Sequence, residues 1–94
     1  MTIETFREST EAEAPPDGLS VPLEAMWYQE KSNWDEAHRL AQSENSPNGS
    51  WVHAYLHRVE GDLGNAAYWY GLADKPVCTS SLDDEWEEIV TALI

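Results

Sequence analysis

The chain has 94 residues, 18 of them acidic against five basic, and a net charge of −13. That field repels phosphate backbones and anionic bilayers, which excludes nucleic-acid binding by charge neutralisation and docking on an acidic membrane. Cys78 is the lone cysteine, so no internal disulfide forms; no apolar run of spanning length occurs, and these residues do not predict a secretory leader. The expectation is one cytoplasmic all-α domain over residues 19–94, preceded by an acidic arm over 1–18.

A domain of this size buries little surface unless its apolar side chains are large. Five Trp and four Tyr meet that need. Residues 1–18 carry Glu4, Glu8, Glu11, Glu13 and Asp17 and then Pro15-Pro16-Asp17-Gly18. Like charge and low hydropathy predict a disordered segment, with Ile3 and Phe6 as its possible anchors. A first helix starts near Ser20, tolerates Pro22 in its opening turn and stacks Leu23, Met26 and Trp27 on one face. A second, about 34–43, aligns Trp34, Ala37, Leu40 and Ala41. Asn45 to Ser50 reads as a loop, with Gly49 or Ser50 capping a third helix over 51–60.

Gly61-Asp62 ends that helix and caps a fourth, about 63–73, which Lys75-Pro76 closes. Ser80 or Ser81 opens the last, with Leu82, Trp86, Ile89, Val90 and Leu93 on its apolar side. About five helices are therefore expected, with the last capping the second hairpin through Trp86 and a ring from Tyr68-Trp69-Tyr70.

Asn33-Trp34-Asp35-Glu36-Ala37 and Asp62-Leu63-Gly64-Asn65-Ala66 occupy matching places at a 29-residue offset. Ala66, Tyr70 and Ala73 follow the A-x3-F-x2-A spacing of a tetratricopeptide second helix. Ala54 stands at its first helix's small position, and in the first copy Ala25, Tyr28 and Ala37 match the small, aromatic and small positions. Residues 20–76 thus resemble two tetratricopeptide-like α-hairpins, although that repeat usually has about 34 residues. The string Trp51-Val52-His53-Ala54-Tyr55-Leu56-His57-Arg58, with Gly61-Asp62, Asn65-Ala66 and Tyr68-Trp69-Tyr70, also resembles a small uncharacterised bacterial protein family. That resemblance brings no activity with it.

Two functional readings remain open. In the first, a helical-repeat module presents Trp51, His53, Tyr55, His57, Arg58, Glu60, Asp62, Tyr68 and Trp69 to a protein or peptide, a basic one suiting the charge. Such a module would be a monomer or a weak homodimer, with no cofactor and no metal. In the second, His53 and His57, one turn apart, join Glu60 as ligands of zinc or another transition metal, with His38, Asp62 or Glu36 approaching from the first hairpin. Both histidines also suit hydrogen-bonded positions inside the scaffold. Arg58 is expected to pair with neighbouring Glu60 or Asp62. No catalytic constellation is present: the HExxH pattern and phosphate-binding glycine loops are absent, and Cys78 sits among loop residues.

Overall fold

The computed structural model describes all residues from Met1 to Ile94 and contains six helices and no strand. They are α1 (Ile3–Ser9), α2 (Val21–Glu30), α3 (Trp34–Ser43), α4 (Pro47–Val59), α5 (Leu63–Ala73) and α6 (Leu82–Leu93). Each starts at a Ser, Thr, Asn or Asp whose side chain accepts a backbone N–H of the first turn: Thr2, Ser20, Asn33, Ser46, Asp62 and Ser81. Such caps satisfy donors that have no partner within the helix.

Helices α2 and α3 form one hairpin and α4 and α5 another, and α4 packs on both members of the first. Their turns share a geometry. Ser32 and Gly61 adopt positive φ (60° and 86°), and the next residue caps the second helix. The Asn33 N–H donates to the Tyr28 carbonyl and the Asp62 N–H to the His57 carbonyl, each at 2.9 Å. Glycine adopts this conformation freely, whereas Ser32 is strained there.

Helix α4 is central, with every residue from Trp51 to His57 buried. It begins four residues earlier than expected. Ser46 caps it, Pro47 occupies its first position, and Gly49 lies so close to Glu44 that a Cβ would stand 2.3 Å from the Glu44 carbonyl oxygen. Asn48-Gly49, read as loop residues, are therefore a tight helical entry.

Two further expectations are corrected. The acidic arm is not disordered throughout: Thr2 and Thr5 build a capping box over Ile3–Ser9, and Phe6 is fully buried 5.8 Å from the Trp86 ring. Burying one phenyl ring contributes about 1.5–3 kcal/mol towards the ordering cost of this short helix. Trp27 Nε1 donates to Ser9 Oγ and Arg7 lies over Trp86, so the docked segment also has polar ties. Helix α6, in turn, does not cover α5. It packs on α2, α4 and α1, and Trp86 donates to the Met26 carbonyl at 3.2 Å rather than meeting an α5 ring.

What places α6 there is a buried ionic knot. Glu85 is 1% exposed, takes Arg58 Nη1 at 2.9 Å and accepts from the Tyr70 hydroxyl at 2.5 Å. Arg58 also donates to the Ser80 carbonyl. Arg58 thus pairs with Glu85, and not with Glu60 or Asp62. Removing one partner of a buried pair leaves the other charge uncompensated, at about 3–5 kcal/mol. Glu85→Ala is accordingly expected to lower unfolding stability by about 3 kcal/mol, because Arg58 keeps some solvent access. Glu87→Ala, which breaks an exposed pair with Arg7, should change it by less than about 0.5 kcal/mol. Urea melts of the two variants side by side provide the check.

Candidate functional site

The nine residues expected to form one surface divide between two sides of α4. Trp51, Tyr55 and Arg58 face the C-terminal part of the chain and are covered by it. Lys75 Nζ sits 4.1 Å from the Trp51 ring centroid, the Tyr55 hydroxyl donates to the Leu82 carbonyl at 3.3 Å, and Arg58 is held by Glu85. Burial, together with the nearby Glu85 carboxylate, pushes the Tyr55 hydroxyl far above its ordinary pKa. Burial and the Glu85 hydrogen bond do the same to Tyr70. Neither phenol ionises at neutral pH, and both serve as hydrogen-bond donors to the last segment of the chain.

On the opposite side, three imidazoles meet where α3, α4 and α5 adjoin. One ring nitrogen each from His38, His53 and His57 lies within 4.8 Å of the others. Helical spacing accounts for part of this: His53 and His57 are one turn apart on α4, with ring centroids 4.8 Å apart. His38 comes from α3, with its centroid 4.6 Å from that of His53 and 5.2 Å from that of His57. Indoles flank the cluster. Trp34 stacks on His38 at 4.7 Å and Trp69 on His53 at 3.8 Å, both nearly parallel. Trp34 is itself fixed by an Nε1–H bond of 2.7 Å to the Leu56 carbonyl.

The hydrogen bonds assign the His57 tautomer. Glu60 Oε1 lies 2.7 Å from His57 Nδ1 and can only accept, so Nδ1 carries the proton. In a neutral ring with that tautomer Nε2 offers the lone pair, and the Asn65 amide of α5 approaches it at 3.4 Å. His53 is different: it is 4% exposed and its Nδ1 has no hydrogen-bond partner. A buried unpaired nitrogen costs about 1–3 kcal/mol. Burial first, then the neighbouring His38 and His57, lower the His53 pKa to about 4, and burial followed by His57 also lowers that of His38. At neutral pH His38 and His53 are therefore uncharged, the form that offers lone pairs.

Glu60 and Asp62 remain at the surface, Glu60 orienting His57 and Asp62 capping α5. Sequence spacing located His53 and His57 but only admitted His38 as one of three approaching residues. Nothing in the local pattern marked Asn65 or the stacking partners Trp34 and Trp69 as neighbours of the histidines.

The outer side of α5 is a second feature. No residue of this helix is charged, and α4 is the one helix whose backbone lies close along it, α6 reaching it through Glu85 to Tyr70. Leu63, Tyr68 and Leu72 are exposed. A groove of about 440 Å³ runs between α5 and the segment leading into α6, with Leu63, Val77 and Leu82 on its walls and Ala66, Tyr70 and Arg58 beneath. No helix is long and apolar enough to cross a membrane. Comparison with protein-family models, curated proteins and solved structures finds no match.

The two α4 histidines are expected to respond differently to a somewhat larger apolar ring. His53→Phe removes an unpaired nitrogen and keeps the stack on Trp69, so stability should stay within about 1 kcal/mol of the original. His57→Phe loses the hydrogen bond to the charged Glu60, at about 1–3 kcal/mol, while exposed Asn65 turns to water. Denaturant melts separate them.

The lowered pKa values also predict a pH dependence. Below pH 6.5 the unfolded chain binds protons that folded His53 refuses until about pH 4. Stability is then greatest above about pH 6.5 and declines as pH falls towards 4, with His38 adding to the loss. The groups acting on the pair are the three imidazoles together with Glu60 and Asp35, which oppose the shift at His38. Each fully shifted group contributes at most about 1.4 kcal/mol per pH unit. Melts of metal-free protein at pH 7.5, 6 and 5 should show this order, and a pH-independent midpoint would contradict it.

Proposed function

We propose that the protein is a small helical-hairpin interaction module that docks a peptide segment of another protein in the groove beside α5. The observation that carries this reading is the convergence of Leu63, Val77 and Leu82, all exposed large apolar residues, on one groove. Exposed apolar side chains scattered singly are ordinary, whereas several around one concavity mark a binding surface. The docking surface differs from the one expected from the sequence, since Trp51, His53, Tyr55 and His57 are buried and present nothing to a partner. Tyr68, at 61% exposed, stands beside Trp69 and does not line the groove.

The chemistry of the occupant follows from charge. The groove is apolar within, while Glu60, Asp62, Asp83 and Asp84 are exposed around the α4–α5 turn and the start of α6. A partner segment with an apolar anchor flanked by Lys or Arg is complementary to this arrangement, and an acidic segment is repelled. The tetratricopeptide-like reading of the two hairpins belongs to the same proposal. It is supported by the shared turn geometry at Ser32-Asn33 and Gly61-Asp62 and by the small residues Ala37 and Ala66 at the close approach. A cytoplasmic setting is proposed with it, on the lone cysteine.

The test uses a panel of short peptides that share one apolar anchor and differ in their flanking charges. Basic-flanked members are expected to bind and shift backbone amide resonances of Leu63, Ala66, Val77 and Leu82, with acidic-flanked members silent. Leu63→Glu should abolish binding and leave the helical circular dichroism unchanged, because Leu63 is two-thirds exposed. Failure of every basic-flanked peptide to bind, or binding unaffected by Leu63→Glu, would refute the reading.

A further inference from the structure

We infer that His38, His53 and His57 form a binding site for a zinc-type divalent transition ion. Three imidazoles held together, one with an unpaired buried nitrogen, are a set of borderline-soft donors suited to a transition ion. A scaffolding role leaves that nitrogen unexplained, because an apolar side chain of similar volume would fill the place without the unmet donor or acceptor. The contacts of His57 add an independent mark. Its Nδ1–H is held by a carboxylate while Nε2 keeps its lone pair, the arrangement that orients a metal-ligating histidine and raises its basicity. Glu60 is in this assignment the orienting carboxylate and not a ligand, and His38 supplies the third nitrogen.

The geometry requires a modest closure. Metal–nitrogen bonds of 2.0–2.1 Å in a tetrahedral site place the nitrogens about 3.3 Å apart, against a present limit of 4.8 Å. His53 and His57 stand on one helix and already stack at 4.8 Å. His38 is half-buried on the neighbouring helix, and closing the site requires its ring to turn from its stack on Trp34. Asn65 must yield the His57 lone pair, and its 3.4 Å contact is long enough to break at little cost. Cys78 lies in the loop beside Ser80 and contributes no thiolate, so the donor set is all-imidazole and leaves a fourth position for water. Hard cations such as Mg²⁺, which prefer oxygen, are disfavoured.

The experiment titrates Zn²⁺ into tag-free, metal-stripped protein by calorimetry near neutral pH and physiological salt, with excess Mg²⁺ present. One ion per chain is expected, with a Kd below about 1 µM. Co²⁺ in its place should give the visible bands of a tetrahedral site. Zn²⁺ should also raise the melting temperature. His38→Gln should weaken Zn²⁺ binding by at least about 100-fold, with helical content unchanged since the residue is not part of the core. Glu60→Gln should weaken it by about 10–100-fold, and Asp62→Asn should leave it as it was. Absence of Zn²⁺ binding, full competition by Mg²⁺, or tight binding retained in His38→Gln would each overturn the assignment. So would a loss in Asp62→Asn equal to that in His38→Gln, which would put the ion on the surface group His57, Glu60 and Asp62.

Discussion

A buried carboxylate has to be paired, and the position of Glu85 governs the whole C-terminal third of the molecule. Its two oxygens are shared between Arg58 of α4 and Tyr70 of α5, so one side chain of α6 ties three helices together. The charge could not be left unpaired at 1% exposure without a penalty of several kcal/mol. Satisfying it draws the start of α6 over Tyr55 and the segment before it over Trp51, and seats the rest of α6 against α2 and α1. Two consequences follow together. The aromatic side of α4 is closed off, and α5 is left with a bare outer surface.

The core reflects the same economy of size. Its largest fully buried side chains include Trp27, Tyr70 and Phe6, and the tryptophans Trp27, Trp34 and Trp86 each carry an indole N–H bonded to oxygen. Large rings supply apolar area that many small residues would otherwise have to provide, while their polar tips stitch distant segments, Trp86 to Met26 and Trp34 to Leu56. Phe6 extends this core to the N-terminal segment, and its contact with Trp86 joins α1 to α6.

Against that frame of satisfied donors, the histidine cluster stands apart. His57 is held firmly at Nδ1, His53 has no partner at its own, and both lie in the most buried helix of a small domain. Small domains have stabilities of order 5 kcal/mol, so an unmet nitrogen is a sizeable fraction of the total. Such a cost is tolerated where a group does something other than hold the fold. The groove beside α5 and the three imidazoles lie on different sides of α5, reached through Leu63 and Tyr70 in one case and Asn65 and Trp69 in the other. Binding at one need not obstruct the other.

Local chemistry made much of the fold legible in the sequence. The 3.6-residue period of Trp34, Ala37, Leu40 and Ala41, the caps at Ser20, Asn33 and Asp62, and the αL glycine at Gly61 are interactions within a few residues, and they specified helices and turns. The i, i+4 spacing likewise put His53 beside His57. What required the tertiary structure was every decision made by a partner far along the chain. Glu85 stands in the acidic run Asp83-Asp84-Glu85-Trp86-Glu87-Glu88 and is indistinguishable there from solvated neighbours; Arg58, 27 residues away, buries it. Phe6 lies in a segment whose average composition predicts disorder, and only Trp86 gives its ring a place. His38 joins the other histidines because α3 packs on α4, a contact no periodicity encodes. Helix formation is a sum over neighbours in sequence, whereas burial of a charge, a ring or an imidazole is set by what the folded chain brings against it.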